Sequence, residues 1–193
     1  DTAAVDSARG AMTDDLETAD DAALVAACVG GRREAFDEIV VRHRKAVYQL
    51  CYRFAGNHED AAELTQDVFL KAFKGLDKFK GDAALATWLY RIGVNTALSR
   101  AAVKRHPTEP IGEREPADPV ERHPLAALLK QEQAKRVQAA IMRLPPRQRA
   151  TLILRVYHEL PHEEIARMLG SSVGAAKANL FHALANLKRF LKP

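Results

Sequence analysis

The chain has 193 residues, of which 47% are hydrophobic, 28% charged and 6% aromatic, with a formal net charge of +4. That is the composition of an ordinary folded protein, long enough for one large domain or two small ones. No apolar run approaches the ~18–20 residues that cross a bilayer, and no secretory apolar segment is visible, so the expectation is a cytoplasmic protein with no direct membrane insertion.

Apolar residues recur at intervals of three and four along nearly the whole chain, without strand alternation, so the expected fold is all-α. Residues 1–20 are acidic and poor in large apolar groups. Residues 1–21 hold seven acids against Arg9, a net of −6, and a disordered acidic arm is expected over 1–20. A short helix is expected over 21–29, ended by Gly30 and Gly31. The next carries Phe36, Ile39, Val40, Val47, Leu50, Cys51 and Phe54 on one stripe and stops at Gly56 and Asn57. Asn57, with Asp60 three residues on, caps a third helix that runs to about Lys74. Gly75 then leads into a basic loop centred on Phe79. A fourth helix buries Leu85, Trp88, Leu89 and Ile92 and ends before Pro107.

Residues 106–124 hold five of the nine prolines and no apolar period, which marks a flexible linker whose 19 residues reach ~60 Å when extended. It separates two small helical domains, 21–105 and 125–193. In the second, a long helix stops at Pro145 and Pro146, another covers 147–157, and a third runs from Pro161 to Leu169. Gly170 supplies a left-handed turn, Ser171 and Ser172 form the turn and cap, and a last helix runs over 173–191. The 161–174 segment reads as a helix-turn-helix, with Ile165, Leu169, Val173, Ala176 and Leu180 closing its core and Leu184 and Leu187 continuing the inward stripe.

Three surfaces are candidates for function. Residues 22–105 carry +5 and residues 131–193 carry +7, separated by a −2 strip. Two basic blocks suit a polyanion, although on charge alone a solvated surface is the better reading. On the third helix Phe69, Ala72, Phe73 and Leu76 line one face, and Glu63, Asp67, Lys71 and Lys74 line the other, with Gln66 beside them. Glu63 and Asp67 are like charges at i,i+4, a repulsion that an external cation would relieve. The loop and fourth helix combine Lys78, Phe79, Lys80, Gly81 and Asp82 with Trp88, Tyr90, Arg91, Asn95, Arg100, Lys104 and Arg105. Cations interleaved with aromatics suit single-stranded nucleic acid. On the last helix Gly174, Lys177, Ala178, Phe181 and Ala185 face outward, with His182 beside them. There Phe181 can meet a thymine methyl and Lys177 a phosphate or guanine edge, and Arg147, Arg149 and Arg155 add phosphate contacts.

Taken together, these motifs resemble the extracytoplasmic-function (ECF) type of alternative sigma factor. Arg33-Glu34-Ala35-Phe36, the run from Ala62 to Phe73 (Ala-Glu-Leu-Thr-Gln-Asp-Val-Phe-Leu-Lys-Ala-Phe) and Thr87-Trp88-Leu89-Tyr90-Arg91-Ile92 with Asn95 look like that family's region 2. Leu144-Pro145-Pro146-Arg147-Gln148-Arg149, Glu164-Ile165-Ala166, Leu169-Gly170 and Val173-Gly174 look like region 4. The resemblance implies a monomeric, non-enzymatic subunit without cofactor or metal that directs RNA polymerase to promoters in a stress or envelope response. Glu63, Leu64, Gln66, Asp67 and Lys71 would dock on the β′ clamp coiled coil of core polymerase, with a further contact to the β flap. Lys78, Phe79, Lys80, Gly81, Asp82, Arg91, Asn95 and Arg100 would capture the unpaired −10 strand. Arg147, Arg149, Ser171, Ser172, Lys177, Ala178, Phe181 and His182 would read the −35 element, and an anti-sigma factor would hold the protein inactive. The sequence departs from the family at Ala175, Asn179 and His182, positions where threonine or arginine is usual, and fewer cations there imply a shallower salt dependence.

Two other classes compete. A stand-alone helix-turn-helix regulator would bind duplex DNA as a dimer, and a helical adaptor would bind protein alone. The Glu63/Gln66/Asp67 face argues against the first, and the +7 block against the second. No phosphate loop, nucleophile motif or metal-type cysteine spacing points to an enzyme. Cys28 and Cys51 read as reduced core residues, and Pro161 breaks the i,i+4 spacing of His158 and His162.

Overall fold

A computed structural model describes residues 15–103 and 124–192. The expected linker, residues 1–14 of the acidic arm, and Lys104 and Arg105 lie outside the described residues. The N-terminal unit comprises α1 (Asp21–Val29), α2 (Glu34–Ala55), α3 (His58–Gly75), a 3-10 turn (Leu76–Lys78) and α4 (Leu85–Val103). The C-terminal unit comprises α5 (Pro124–Met142), α6 (Pro146–Leu152) running into a π turn (Ile153–Tyr157), α7 (His162–Leu169) and α8 (Val173–Leu191). Among the described residues there is no strand.

Local chemistry sets the helix ends. The Asp20 side chain accepts from Ala23 N at 2.7 Å and starts α1. Gly56 takes φ 81°, a left-handed value that ends α2. Asn57 then accepts from Asp60 N at 2.9 Å and opens α3, so the expected cap at this corner forms. Gly170, at φ 57° and ψ 47°, turns α7 into α8, where Ser172 Oγ accepts from Ala175 N at 3.1 Å.

The acidic arm needs a correction at its C-terminal end. Residues 15–18 form a helical turn, and Leu16 is buried. Arg42 holds it by donating to the carbonyls of Leu16, Glu17 and Ala19 at 3.0, 2.8 and 2.6 Å. One apolar residue and one guanidinium order this stretch despite its composition.

Leu50, Val47, Ile39 and Cys51 of α2 meet Val68 of α3 and Leu89 and Val94 of α4 in the core. Helices α2 and α4 cross at Gly93, where an added Cβ would lie 2.6 Å from Leu50 Cδ2. In the C-terminal unit Ile141, Leu144, Ile153, Leu154, Ile165 and Ala176 form the core. The inward stripe of α8 is corrected by one position, because Ala183 is buried and Leu184 is 49% exposed. Positions 176, 183 and 187 follow the strict 3-4 alternation, which passes over 184.

The two units also pack on each other. Gln138 Nε2 donates to Tyr52 O and Arg53 O at 3.2 and 3.4 Å, and Arg149 Nη1 donates to Phe54 O at 3.3 Å. The Arg53 guanidinium lies 3.9 Å from the Tyr157 ring centre, and the rings of Tyr90 and His158 are 4.3 Å apart. Burial, with Arg53 adding to it, pushes the His158 imidazole down to about 4. The packed state therefore binds fewer protons than the separated one. Its contribution from His158 is complete above the ordinary value of about 6.5 and is lost as pH falls from there towards about 4. A proton NMR titration of the intact chain is expected to find a ring titrating far below the ordinary imidazole value, a signal removed by His158→Asn. Titration of that ring near 6.5 would mean it stands in water.

Candidate functional site

On α3 the spacing 63, 66, 67, 70 and 71 makes one stripe. Glu63, Gln66 and Lys71 are exposed and Asp67 is half-buried, with Leu70 beside them 54% exposed. Leu64 points the other way and is buried at 3% exposure, so it supports the helix from the core and offers nothing to a partner. Phe73, expected on one face with Phe69, Ala72 and Leu76, is 45% exposed with its edge against Phe36 at 5.0 Å. The sequence reading missed Leu70 as part of this face, although its spacing from Glu63 and Gln66 carried the signal.

The repulsion between Glu63 and Asp67 is relieved from within. Arg100 of α4 reaches Asp67 Oδ2 at 2.5 Å and Glu63 Oε2 at 3.6 Å. Lys71 Nζ donates to Thr96 Oγ1 at 3.0 Å, and that buried hydroxyl donates to Ile92 O at 2.7 Å. Arg100, expected at the nucleic acid, also bridges α4 to the acidic stripe, with its side chain 32% exposed. Alongside lies a shallow groove between Arg44, Lys45 and Tyr48 of α2 and Ala62 and Thr65 of α3.

The expected strand-capturing loop is exposed at Lys78, Lys80, Gly81 and Asp82. Phe79 is half-buried against Trp88, with ring centres 5.4 Å apart. Arg91 and Asn95 are exposed one turn apart on α4. Loop, Thr87, Trp88 and Arg91 form one wall of a cleft of about 340 Å3, and Glu164, Arg167 and Met168 of α7 form the other.

On α8, Lys177, Ala178 and His182 are exposed and Phe181 is 71% exposed. Leu184 joins Phe181 at the surface one turn on. An exposed aromatic beside a lysine can meet a base methyl and a phosphate in a groove. Several neighbours expected to contact phosphate are engaged within the fold. Arg149 donates to the carbonyls of Met142 and Leu144 as well as Phe54, and burial disfavours its charge. Arg147 Nη1 donates to Leu169 O at 3.3 Å, and Arg155 Nη1 to Leu160 O at 3.1 Å. Ser172 is the α8 cap, and Ser171 is half-buried. Arg149 and Ser172 thereby hold helix ends in place, while Arg147 and Arg155 stay exposed alongside their single backbone hydrogen bonds.

Among the described residues no cluster of histidine, cysteine and carboxylate side chains could hold a metal ion, and no helix is long and apolar enough to cross a membrane.

Comparison with known proteins gives consistent matches over most of the chain. Residues 39–106 match the family model for sigma-70 region 2, and residues 134–187 match that for sigma-70 region 4. The chain is 38% identical over 173 residues to the ECF RNA polymerase sigma factor SigM of Mycobacterium tuberculosis, covering 89% of this chain and 84% of the relative. It is 32% identical over 183 residues to the ECF RNA polymerase sigma-E factor of Escherichia coli, covering 90% and 95%. Among solved structures it is similar to CnrH in complex with the cytosolic domain of CnrY, at TM-score 0.63 and 26% identity over 87% of this chain and 94% of that one. The sigma factor RpoE bound to the anti-sigma factor NepR, from Bartonella quintana, shares the fold at TM-score 0.64 and 20% identity, over 81% and 96%.

Proposed function

The chain belongs to the ECF sigma factors of the sigma-70 family, and from that premise we propose that it docks on core RNA polymerase through α3 and reads promoter DNA through two separate surfaces. The observation that carries the docking assignment is the exposed stripe of Glu63, Gln66, Asp67 and Leu70. It pairs carboxylates and an amide with an apolar residue on one rigid helix, as a specific protein interface does. The β′ clamp coiled coil is its partner, and the β flap takes the C-terminal unit.

The 78–82 loop, with Arg91 and Asn95, takes the unpaired −10 strand. Its support is the combination of exposed cations, a half-buried Phe79 and an adjacent cleft. Lys177, Ala178, Phe181, His182 and Leu184 enter the −35 major groove. Because Arg149 serves the fold and His182 and Asn179 carry no fixed charge, fewer phosphate contacts remain there, and the salt dependence of −35 binding is shallow. An anti-sigma factor is a partner by likeness to CnrH, which was solved with the cytosolic domain of CnrY.

Co-elution of the purified chain with core RNA polymerase tests this reading. The expected result is one-to-one association with core, and little specific binding of promoter duplex by the chain alone. Specific duplex binding as a dimer, without association with core, would overturn it in favour of a stand-alone regulator.

A further inference from the structure

The cleft beside the 78–82 loop gathers cations from both units. Lys78, Lys80 and Arg91 line it from the N-terminal unit, and Arg167 lines it from α7. All four are exposed, and none forms an ion pair with another described residue. Among the described lining residues only Asp82 and Glu164 are carboxylates, so the cleft is positive on balance. A concave space lined by one sign of charge focuses its field on an ion of the other sign. Trp88 and Phe79 add aromatic surface to the lining, half-buried and with ring centres 5.4 Å apart.

Size narrows the choice of anion. The cleft measures about 340 Å3, at the small end of the ~300–1,000 Å3 that small-molecule sites span. A plain phosphate would leave the rings unused, and a nucleic-acid strand runs along a groove over several nucleotides. One nucleotide uses every feature. A base stacks on aromatic side chains, phosphates take charge-assisted hydrogen bonds from lysine and arginine, and carboxylates accept from ribose hydroxyls.

We propose that this cleft binds a free nucleoside diphosphate, with its base on Trp88 and Phe79 and its phosphates among Lys78, Lys80, Arg91 and Arg167. Asp82 and Glu164 accept from the ribose hydroxyls. The ligand spans both walls, so neither unit holds it alone. Lys78, Lys80 and Arg91 also belong to the −10 assignment, and a bound nucleotide therefore competes with the promoter strand. The inference rests on that assignment for the competition only.

Trp88 is the single tryptophan of the chain, so its fluorescence reports on the cleft directly. ADP, GDP and UDP are titrated separately into the full chain, with inorganic pyrophosphate as the arm that lacks a base. Saturable quenching by at least one nucleotide is expected, half-complete below about 1 mM. Pyrophosphate, read by its displacement of that nucleotide, is expected to bind at least about tenfold more weakly, for want of a stacked base. Arg167→Ala lies outside the docking and promoter assignments. It is expected to weaken the nucleotide about tenfold at unchanged helicity, as loss of one charge-assisted hydrogen bond does. Lys80→Ala should do the same from the opposite wall. Absence of saturable quenching by all three nucleotides would overturn the site. Pyrophosphate as tight as the nucleotide would reduce it to a phosphate seat and overturn the nucleotide. Full affinity in Arg167→Ala would leave the ligand on the loop alone and overturn the two-walled cleft. Asn95→Ala, outside the cleft, tests the −10 assignment by itself. Unchanged affinity of its complex with core polymerase for a −10 single strand would sink that assignment and leave the nucleotide result standing.

Discussion

Reversing the charge at Asp67 (Asp67→Arg) is expected to abolish co-elution with core RNA polymerase while leaving helicity by circular dichroism unchanged. Asp67 is half-buried on the α3 stripe, between Glu63 one turn before it and Arg100 across from it. Truncating one member of a desolvated interfacial pair costs about 2–5 kcal/mol, and a reversal adds repulsion to that loss. An affinity loss of at least about 100-fold follows. The fold tolerates the change because a partly exposed ion pair stabilises by only about 0–1 kcal/mol. Arg100→Ala is the control. It frees both carboxylates without removing them, and core affinity should stay within about threefold, the spread of a minor surface change. Full affinity in Asp67→Arg would remove α3 from the polymerase interface.

The largest effect on stability is expected at the crossing of α2 and α4. Leu50 is completely buried, and its Cδ2 fills the space that a side chain on Gly93 would need. Leu50→Ala should cost about 3 kcal/mol, within the usual range of 2–5 kcal/mol for such truncations. In a unit of this size that lowers Tm by more than about 10 °C. Gly93→Ala alone gains about 1 kcal/mol of helix propensity and loses a similar amount to overpacking. In the double variant the vacated space accepts the new methyl, so the propensity gain survives and the packing penalty does not. Urea unfolding followed by helicity should therefore give a double-variant cost at least about 1 kcal/mol below the sum of the singles. Additive costs would mean that the helices respace instead of interlocking at Gly93.

Both expectations use positions that the sequence singled out for other reasons or passed over. Leu50 was legible as part of an apolar stripe, but its dependence on Gly93 was not, since 43 positions separate them. Asp67 was legible as a charge in need of a cation. The cation proved to be Arg100, thirty-three positions on, which the sequence reading had assigned to nucleic acid. Arg149, expected at phosphate, likewise donates to backbone carbonyls within the fold. A guanidinium on the surface and one donating to orphan carbonyls look identical in a sequence, because donor geometry is set by which helix end lies nearby.

What the sequence determined by itself is what depends on near neighbours. Apolar period, glycine turns and the Asn57 and Ser172 caps act within four residues, so helix order and the helix-turn-helix could be read directly. So could the outward placement of Lys177 and Phe181, which follows from helical spacing alone. The tertiary structure decided what depends on distant partners. It turned Leu64 into the core, Leu184 out to the surface and Leu16 under Arg42. It also seated Gln138 and Arg149 on the end of α2. A helix end left with unpaired carbonyls must find donors, and only the folded chain determines which residues supply them.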